Sequence, residues 1–555
     1  MPLFRSLSIA CAAVLATAAN AAAPPKPKLI IVVSIDQFSA DLFAQYRGSF
    51  TGGLKRLQSG AVFPSGYQSH AATETCPGHS TILSGMHPSG TGIVGNRIWN
   101  PRSYKMMYCI DDGETPVADM AVTRSASTLK ATTLGTWLKA AEPGARVFAV
   151  AGKDRAAIPM GGANADGEFF WNEERGGYTT FVPAGTTAIQ RLAPVAAFNA
   201  ALLAKWRETP PAWKLHGPAC TAMFGPETYG GVTTEQKVPP NDGWTPPARG
   251  VDFAADPVFQ ASFRASPEFD RVTLELAEAV IASQQLGRGK ATDLIAVGLS
   301  ATDYVGHRYG PESPQMCDHL AWLDERLGAF FATIDALHVP YVVALTADHG
   351  SIDAAERAAE RGIPAQRIDT QALVQGLNDD LRKQFDLDWD PLSGDASNIV
   401  VNGAGDVHAK LMAAAIEKLR VMPQVAGVFT KAELLAAMPT RGKAPDAWSL
   451  AERFAASTDA DRSTDLQVAW AEFATPFAIN PKSPYIAGHG SPWNYDRRVP
   501  ILFWWPDASG FEQPLAVETV DIAPTLAAIA GIKAPVVDGR CLDLDKGAGD
   551  SCAAK

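Results

Sequence analysis

The chain is predicted to be an α/β protein, built on a mainly parallel sheet with helices on both faces and carrying inserted cap segments. Three observations support that expectation. β-Branched runs recur, each leading to a polar group able to do chemistry; amphipathic helical stretches separate them; and 555 residues at 46% apolar and 19% charged content can bury a large core.

The first run, Leu29-Ile-Ile-Val-Val-Ser-Ile-Asp36, has the continuous apolar pattern of a parallel strand buried on both faces. Arg146-Val-Phe-Ala-Val-Ala-Gly152 leads into Lys153-Asp-Arg155, the Asp293–Leu299 run leads to Asp303, and the Tyr341–Ala347 run leads to Asp348-His349. Ligands of open parallel sheets collect outside the carboxyl ends of the strands, so these polar groups are expected near one sheet edge. Between the runs, Phe269, Val272, Leu276 and Val280 recur at helical steps after Ser266-Pro267, and Leu320, Leu323, Leu327, Phe331 and Ile334 do the same.

Two stretches break the rhythm and are expected as insertions on a single domain spanning 22–555. One, at about 167–251, holds hairpin signals, an apolar helix and a Pro/Trp-rich loop; the other, at about 366–475, mixes helices and short strands. Residues 1–21 read as a cleaved export signal: Arg5, the apolar run Leu7 to Ala19, then Ala19-Asn20-Ala21. A periplasmic or secreted location follows as an expectation, with no membrane span in the mature chain. The formal net charge of −11 argues against a general nucleic-acid binder.

Removal of the signal takes Cys11 and leaves Cys76, Cys109, Cys220, Cys317, Cys541 and Cys552, an even number compatible with disulfides in an exported protein. Cys541 and Cys552 make a local pair; spacing assigns no partners among the other four. No metal-thiolate spacing is present, so a metal site here must use His and carboxylates.

The candidate chemistry lies in Asp303-Tyr-Val-Gly-His307, in Asp348-His349 and in Gly488-His489-Gly490. Each alone has a plain explanation: a surface hydrogen bond, an Asx turn closing a strand, a flexible turn. With Asp36 they supply three carboxylates and three histidines at one predicted edge, enough for two zinc ions that each keep a position open for water or substrate. His216, His319, His338 and His408 lack such company and are assigned to structure.

Thr75, in Thr73-Glu-Thr-Cys-Pro-Gly-His-Ser-Thr81, is the nucleophile candidate. Pro77 favours the first turn of a helix, which puts Thr75 at a helix mouth where amide dipoles favour an anion. An isolated threonine there would be a plain N-cap, and its hydroxyl needs a metal or base to become reactive.

This combination resembles the PafA-like alkaline phosphatases, a threonine-nucleophile branch of the alkaline phosphatase superfamily, from the first strand to the segment Val520 to Ile532. The resemblance implies an alkaline-phosphatase-like core. It makes Thr75 the nucleophile, places Asp36, Asp348, His349 and Thr75 on one Zn2+, and places Asp303, His307 and His489 on the other. Asn96 is similar to the family's phosphate-binding Asn, and Lys153 and Arg155 to its Lys-x-Arg pair. The implied reaction is hydrolysis of phosphate monoesters through a phospho-threonine intermediate, with inorganic phosphate as product.

Two cations suit a monoester, which carries about two negative charges near neutral pH, better than a diester. The related nucleotide pyrophosphatase/phosphodiesterases lack that pair, and a sulfatase would need a Cys/Ser-x-Pro-x-Arg motif, whereas Cys76 is followed directly by Pro77. A diesterase, or a metal- or phosphate-binding module without turnover, are the competing readings.

Overall fold

The computed structural model describes residues 24–216, 220, 225–229, 232–235, 253–476, 485–546 and 550–552. The expected export signal and the Pro/Trp-rich part of the first insertion lie outside the described residues.

The architecture is α/β around one ten-stranded, mostly parallel sheet. Leu29–Ile35 lies near its centre, paired in parallel with Asp293–Leu299 on one side and Tyr341–Thr346 on the other. Val147–Ala151 and then Gly167–Asn172 extend the parallel order beyond Asp293–Leu299. Arg498–Trp504 runs antiparallel beside Tyr341–Thr346 and joins Ala61–Tyr67 to the sheet.

Strand periodicity decides which side chains serve which layer. Ile31, Val33 and Ile35 face a core with Ile295, Val297, Val343 and Leu345, while Ile30 and Val32 face the opposite core with Leu294, Ala296, Val342 and Ala344. Helices cover both faces, as expected. Pro267–Ser283 and Pro314–Asp335 bury Phe269, Val272, Leu276 and Val280 and Leu320, Leu323, Leu327, Phe331 and Ile334 in the first core. Thr75–Ser84, Leu134–Ala141 and Ile522–Ile529 bury Ile82, Leu83, Leu134, Leu138 and Leu526 in the second.

One expectation is corrected. The hairpin placed at the start of the first insertion is the edge of the main sheet: Gly167–Asn172 pairs with Val147–Ala151, and Gly177–Thr179 pairs with it in turn. The reason is two-sided burial, since Phe169 and Trp171 enter one core and Phe170 the other. Beyond it the helix Ala188–Glu208 starts at a capping box, Thr187 with Gln190, and lays Trp206 against Trp171.

Within 366–475 a four-stranded sheet forms from Leu392–Gly394, Asn398–Val401, Leu466–Trp470 and Val425–Thr430. With the helices Thr370–Phe385 and Gly405–Arg420 it encloses its own core of Leu377, Leu381, Ile399, Leu411, Val468 and Trp470. Disulfides join Cys76 to Cys109, Cys220 to Cys317 and Cys541 to Cys552, the last being the expected local pair. No helix among the described residues is long and apolar enough to cross a membrane.

Candidate active site

Four parallel strands deliver their polar ends to one place. Asp36 follows Leu29–Ile35, Lys153 follows Val147–Ala151, Asp303 opens the helix Ala301–Tyr309 after Asp293–Leu299, and Asp348-His349 follow Tyr341–Thr346. Thr75 begins a helix whose residues are all buried. Gly78 lets that helix press onto the Asp348 main chain: a Cβ there would lie 2.1 Å from the Asp348 carbonyl oxygen.

The histidines are oriented by the main chain. Nδ1 faces the carbonyl of Gly350 in His349 (2.9 Å), of Ala487 in His307 (2.9 Å) and of Thr73 in His489 (2.8 Å). A carbonyl can only accept, so each Nδ1 carries the proton and each Nε2 presents its lone pair, the form that ligates metal. His307 and His489 Nε2 both lie 3.3 Å from Asp303 Oδ1, and His349 Nε2 lies 3.3 Å from Asp348 Oδ2 and 3.5 Å from Asp36 Oδ1. The His349 and His489 rings stack at 3.6 Å.

Two sets of ligand atoms gather within 4.8 Å, Asp36/Asp348/His349 and Asp303/His349/His489, with His349 common to both. Burial lowers the basicity of His349 to a pKa of about 3 and also lowers that of His489, so both rings are neutral. Burial, then the neighbouring Asp348 carboxylate, pushes Asp36 well above the usual carboxylate range. Burial opposes ionisation of Asp303 too, but the Lys153 ammonium outweighs it and holds the group well below that range.

This donor set fits a divalent metal. Asp36 Oδ1 and His349 Nε2, on side chains at most 1% exposed, have no hydrogen-bond partner, and such orphaned buried atoms are costly unless a cation meets them. Imidazole nitrogen with carboxylate oxygen is zinc-type ligation.

Around these groups lie the expected phosphate ligands. Lys153 Nζ is 2.7 Å from Asp36 Oδ2, 2.5 Å from Asp303 Oδ2 and 3.4 Å from Thr75 Oγ1. Arg155 donates from Nη1 to Tyr108 Oη at 3.4 Å, while its buried Nε has no partner and is available to an anion. Asn96 Oδ1 accepts from the Cys76 amide at 2.9 Å, which leaves Nδ2 as the donor end of that side chain.

Several contributors went unassigned in the sequence. Gln37, with φ of 68°, donates from its amide to Asp348 Oδ1 and from Nε2 to Asp303 Oδ1, both at 3.0 Å. His79 lies 2.9 Å from the Thr75 carbonyl and 3.1 Å from Asp348 Oδ2; Glu74 accepts from the Asn96 amide at 2.7 Å. The only sequence signals for them are adjacency to Asp36 and to Thr75 and a one-turn spacing.

A hydroxyl at a helix mouth beside paired Asp/His groups, at the carboxyl edge of a parallel sheet, defines a phosphoester-hydrolase class of site. Consistently, the sequence model of the type I phosphodiesterase / nucleotide pyrophosphatase family matches residues 30–474. The chain belongs to the PafA-like alkaline phosphatases within that superfamily. It is 44% identical to alkaline phosphatase PhoK of a Sphingomonas species, over 97% of this chain and 94% of the relative. It is 42% identical to alkaline phosphatase PhoD of Zymomonas mobilis, over 95% and 90% of the two chains. The crystal structure of alkaline phosphatase PafA shares the fold with a TM-score of 0.78 at 24% identity, covering 94% of this chain and 99% of that one.

Proposed function

We propose that this chain is an exported, zinc-dependent alkaline phosphatase that hydrolyses phosphate monoesters of broad kind through a phospho-threonine on Thr75. The observation that carries the reading is the position of Thr75 Oγ1, 3.4 Å from Lys153 Nζ and beside two His/carboxylate groups that leave buried ligand atoms unpaired.

Asp36, Asp348, His349 and Thr75 would hold one zinc, and Asp303, His307 and His489 the other. Bound there, zinc supplies Lewis acidity, making the Thr75 hydroxyl a stronger acid and withdrawing electron density from the phosphoryl oxygens. Thr75 Oγ1 attacks phosphorus as the ester P–O bond breaks in line with it, and the Thr75 proton passes through solvent to the departing alkoxide; water then attacks the phospho-threonine, the Thr75–phosphorus bond breaks, and one water proton returns to Thr75 Oγ1 as inorganic phosphate leaves. Arg155 Nε and Asn96 Nδ2 meet the non-bridging oxygens, and Lys153, already within reach of Thr75, adds a second positive charge.

Two cations against one phosphoryl group favour the dianionic monoester over a monoanionic diester. Export is supported by the Cys76–Cys109, Cys220–Cys317 and Cys541–Cys552 bridges, which suit an oxidising compartment.

The test is a set of initial rates on para-nitrophenyl phosphate and its bis-ester, before and after chelation and zinc return. Monoester preference lost on chelation and restored by zinc is the expected outcome. Diester preference would overturn the substrate assignment, and metal binding without hydrolysis, with Thr75→Ala no different from the parent, would turn the site into a binding module.

A further inference from the structure

A cavity of about 710 Å³ opens onto the nucleophile. Thr75, Asn96 and Arg155 lie at one end; the other is walled by the 366–475 segment, with Gln375 from the helix Thr370–Phe385, Asp395 from the turn after Leu392–Gly394 and Trp470 from the strand Leu466–Trp470. Sites of roughly 300–1,000 Å³ enclose a whole small molecule, so this one holds much more than a phosphoryl group. In an in-line displacement the leaving alcohol points away from the attacking oxygen, toward the space not occupied by the nucleophile and its helix.

The wall offers ring surface and negative charge. Trp470 Nε1 donates to Ser397 Oγ and Trp493 Nε1 to the Trp470 carbonyl, each at 3.0 Å, so their indole N–H groups are already engaged. Glu74, Asp395 and Asp496 line the cavity together with Asp390, which Arg382 already pairs at 2.5 Å, whereas Arg155 is the one lysine or arginine among the described lining residues and stands at the phosphate end. Asp395 is fixed in place, its Oδ1 accepting from the Ser397 and Asn398 amides at 2.9 and 2.7 Å. Asp496 is 1% exposed and its Oδ1 has no hydrogen-bond partner, leaving an acceptor for a hydroxyl or ammonium group.

We propose that this cavity is the leaving-group site, and that it selects phosphate monoesters of uncharged or cationic alcohols with an apolar portion against esters whose alcohol carries further negative charge. The proposal rests on the phosphatase reading above and adds a substrate class to it. A like charge at about 4 Å changes binding about fivefold even in a water-like dielectric, and more where solvent is excluded.

The experiment compares three esters of matched size on the zinc-loaded mature chain: para-aminomethyl-, para-hydroxymethyl- and para-carboxymethyl-phenyl phosphate. Their methylene group insulates the phenolic oxygen, so the three differ mainly in charge. At about pH 9 the Asp496 carboxyl, which burial pushes up to about 7, is ionised.

The expected kcat/KM for the amine and the alcohol exceeds that for the carboxylate by at least about tenfold. Asp395→Asn, which keeps the turn, and Gln375→Lys, on an exposed helix face, should each narrow that ratio about fivefold or more. Equal kcat/KM for the three esters, or a ratio unmoved in both variants, overturns the proposal while leaving the phosphatase standing. Absence of hydrolysis of all three and of para-nitrophenyl phosphate overturns the phosphatase reading and this inference with it.

Discussion

The Gln37 side-chain amide donates to Asp303 Oδ1 at 3.0 Å, across the gap between the two groups of ligands. Its own main-chain amide holds Asp348 Oδ1 at the same distance, so one residue fixes the spacing of carboxylates from both groups. The cost is a left-handed backbone at φ of 68°, of order 1–2 kcal/mol for a residue with a Cβ. Gly306 provides the room: a Cβ there would come within 1.6 Å of Gln37 Oε1, which explains the glycine inside Asp303-Tyr-Val-Gly-His307.

Outer partners of metal ligands typically control affinity by about 10–100-fold. Loaded with zinc, Gln37→Ala should therefore release it to a coloured chelator at least about tenfold faster than the parent chain loaded in the same way. Identical release traces for variant and parent would show that the carboxylates hold their positions unaided.

Arg155 carries a buried, unpartnered Nε, so on the proposed reading its removal deletes a donor to the phosphoryl group. Arg155→Ala should lower kcat/KM for para-nitrophenyl phosphate by about 100-fold, the usual scale for one oxyanion donor, and lower it much less for the bis-ester. Lys153→Ala should show the same asymmetry, with a weaker grip on zinc in neither case needed to explain it. Equal losses on both esters would remove the argument that these cations select monoesters.

Gly78 is required by contact. Gly78→Ala drives a methyl group into the Asp348 carbonyl and must push the Thr75–Ser84 helix away from the strand end. A stability loss of about 1–3 kcal/mol in denaturant unfolding and a disproportionate fall in kcat are expected. A variant with parent-like turnover would mean that the helix can shift without moving Thr75.

His87 provides a stability test away from the ligand groups. Burial disfavours its charged form, but hydrogen bonds to Asp538 and Glu518 outweigh that and raise its pKa to about 10. Because this folded value lies above the unfolded value near 6.5, the stabilisation is complete below about pH 6.5 and fades as pH rises through about 10. His87→Gln should cost about 3 kcal/mol of unfolding free energy near pH 6, with the gap to the parent closing near pH 10. A gap independent of pH would show that packing against Trp448, rather than charge, is what His87 contributes.

Legibility in the sequence followed the strength of the local signal. The strands ending at Asp36, Lys153, Asp303 and Asp348 could be read because each is buried on both faces and therefore continuously apolar. Ala61–Tyr67 and Arg498–Trp504 were not read, for each contains a proline, Pro64 and Pro500, at which their pairing register slips. The Gly167–Thr179 hairpin announced itself as a hairpin, but nothing local states which sheet a hairpin joins. Ligand-type residues stood out by chemistry and order; Gln37 did not, since its role depends on a backbone angle and on two carboxylates about 270 and 310 positions away.

The strand Ala61–Tyr67 leads into the helix that bears Thr75, and every sheet partner it has among the described residues comes from Arg498–Trp504, Phe511–Glu512 and Val517–Glu518. The helix is tied to the same late segment, with Thr81 Oγ1 3.2 Å from Thr519 Oγ1. During synthesis the early strand must wait for these sheet partners until Arg498–Trp504 has emerged. A nascent chain can assemble much of the parallel half of its sheet, yet the strand that leads to Thr75 gains its described sheet partners only with Arg498–Trp504 and the two short strands after it. Formation of the sheet edge that leads to Thr75 is thereby coupled to strands far along the chain, whatever the order in which the parallel half assembles.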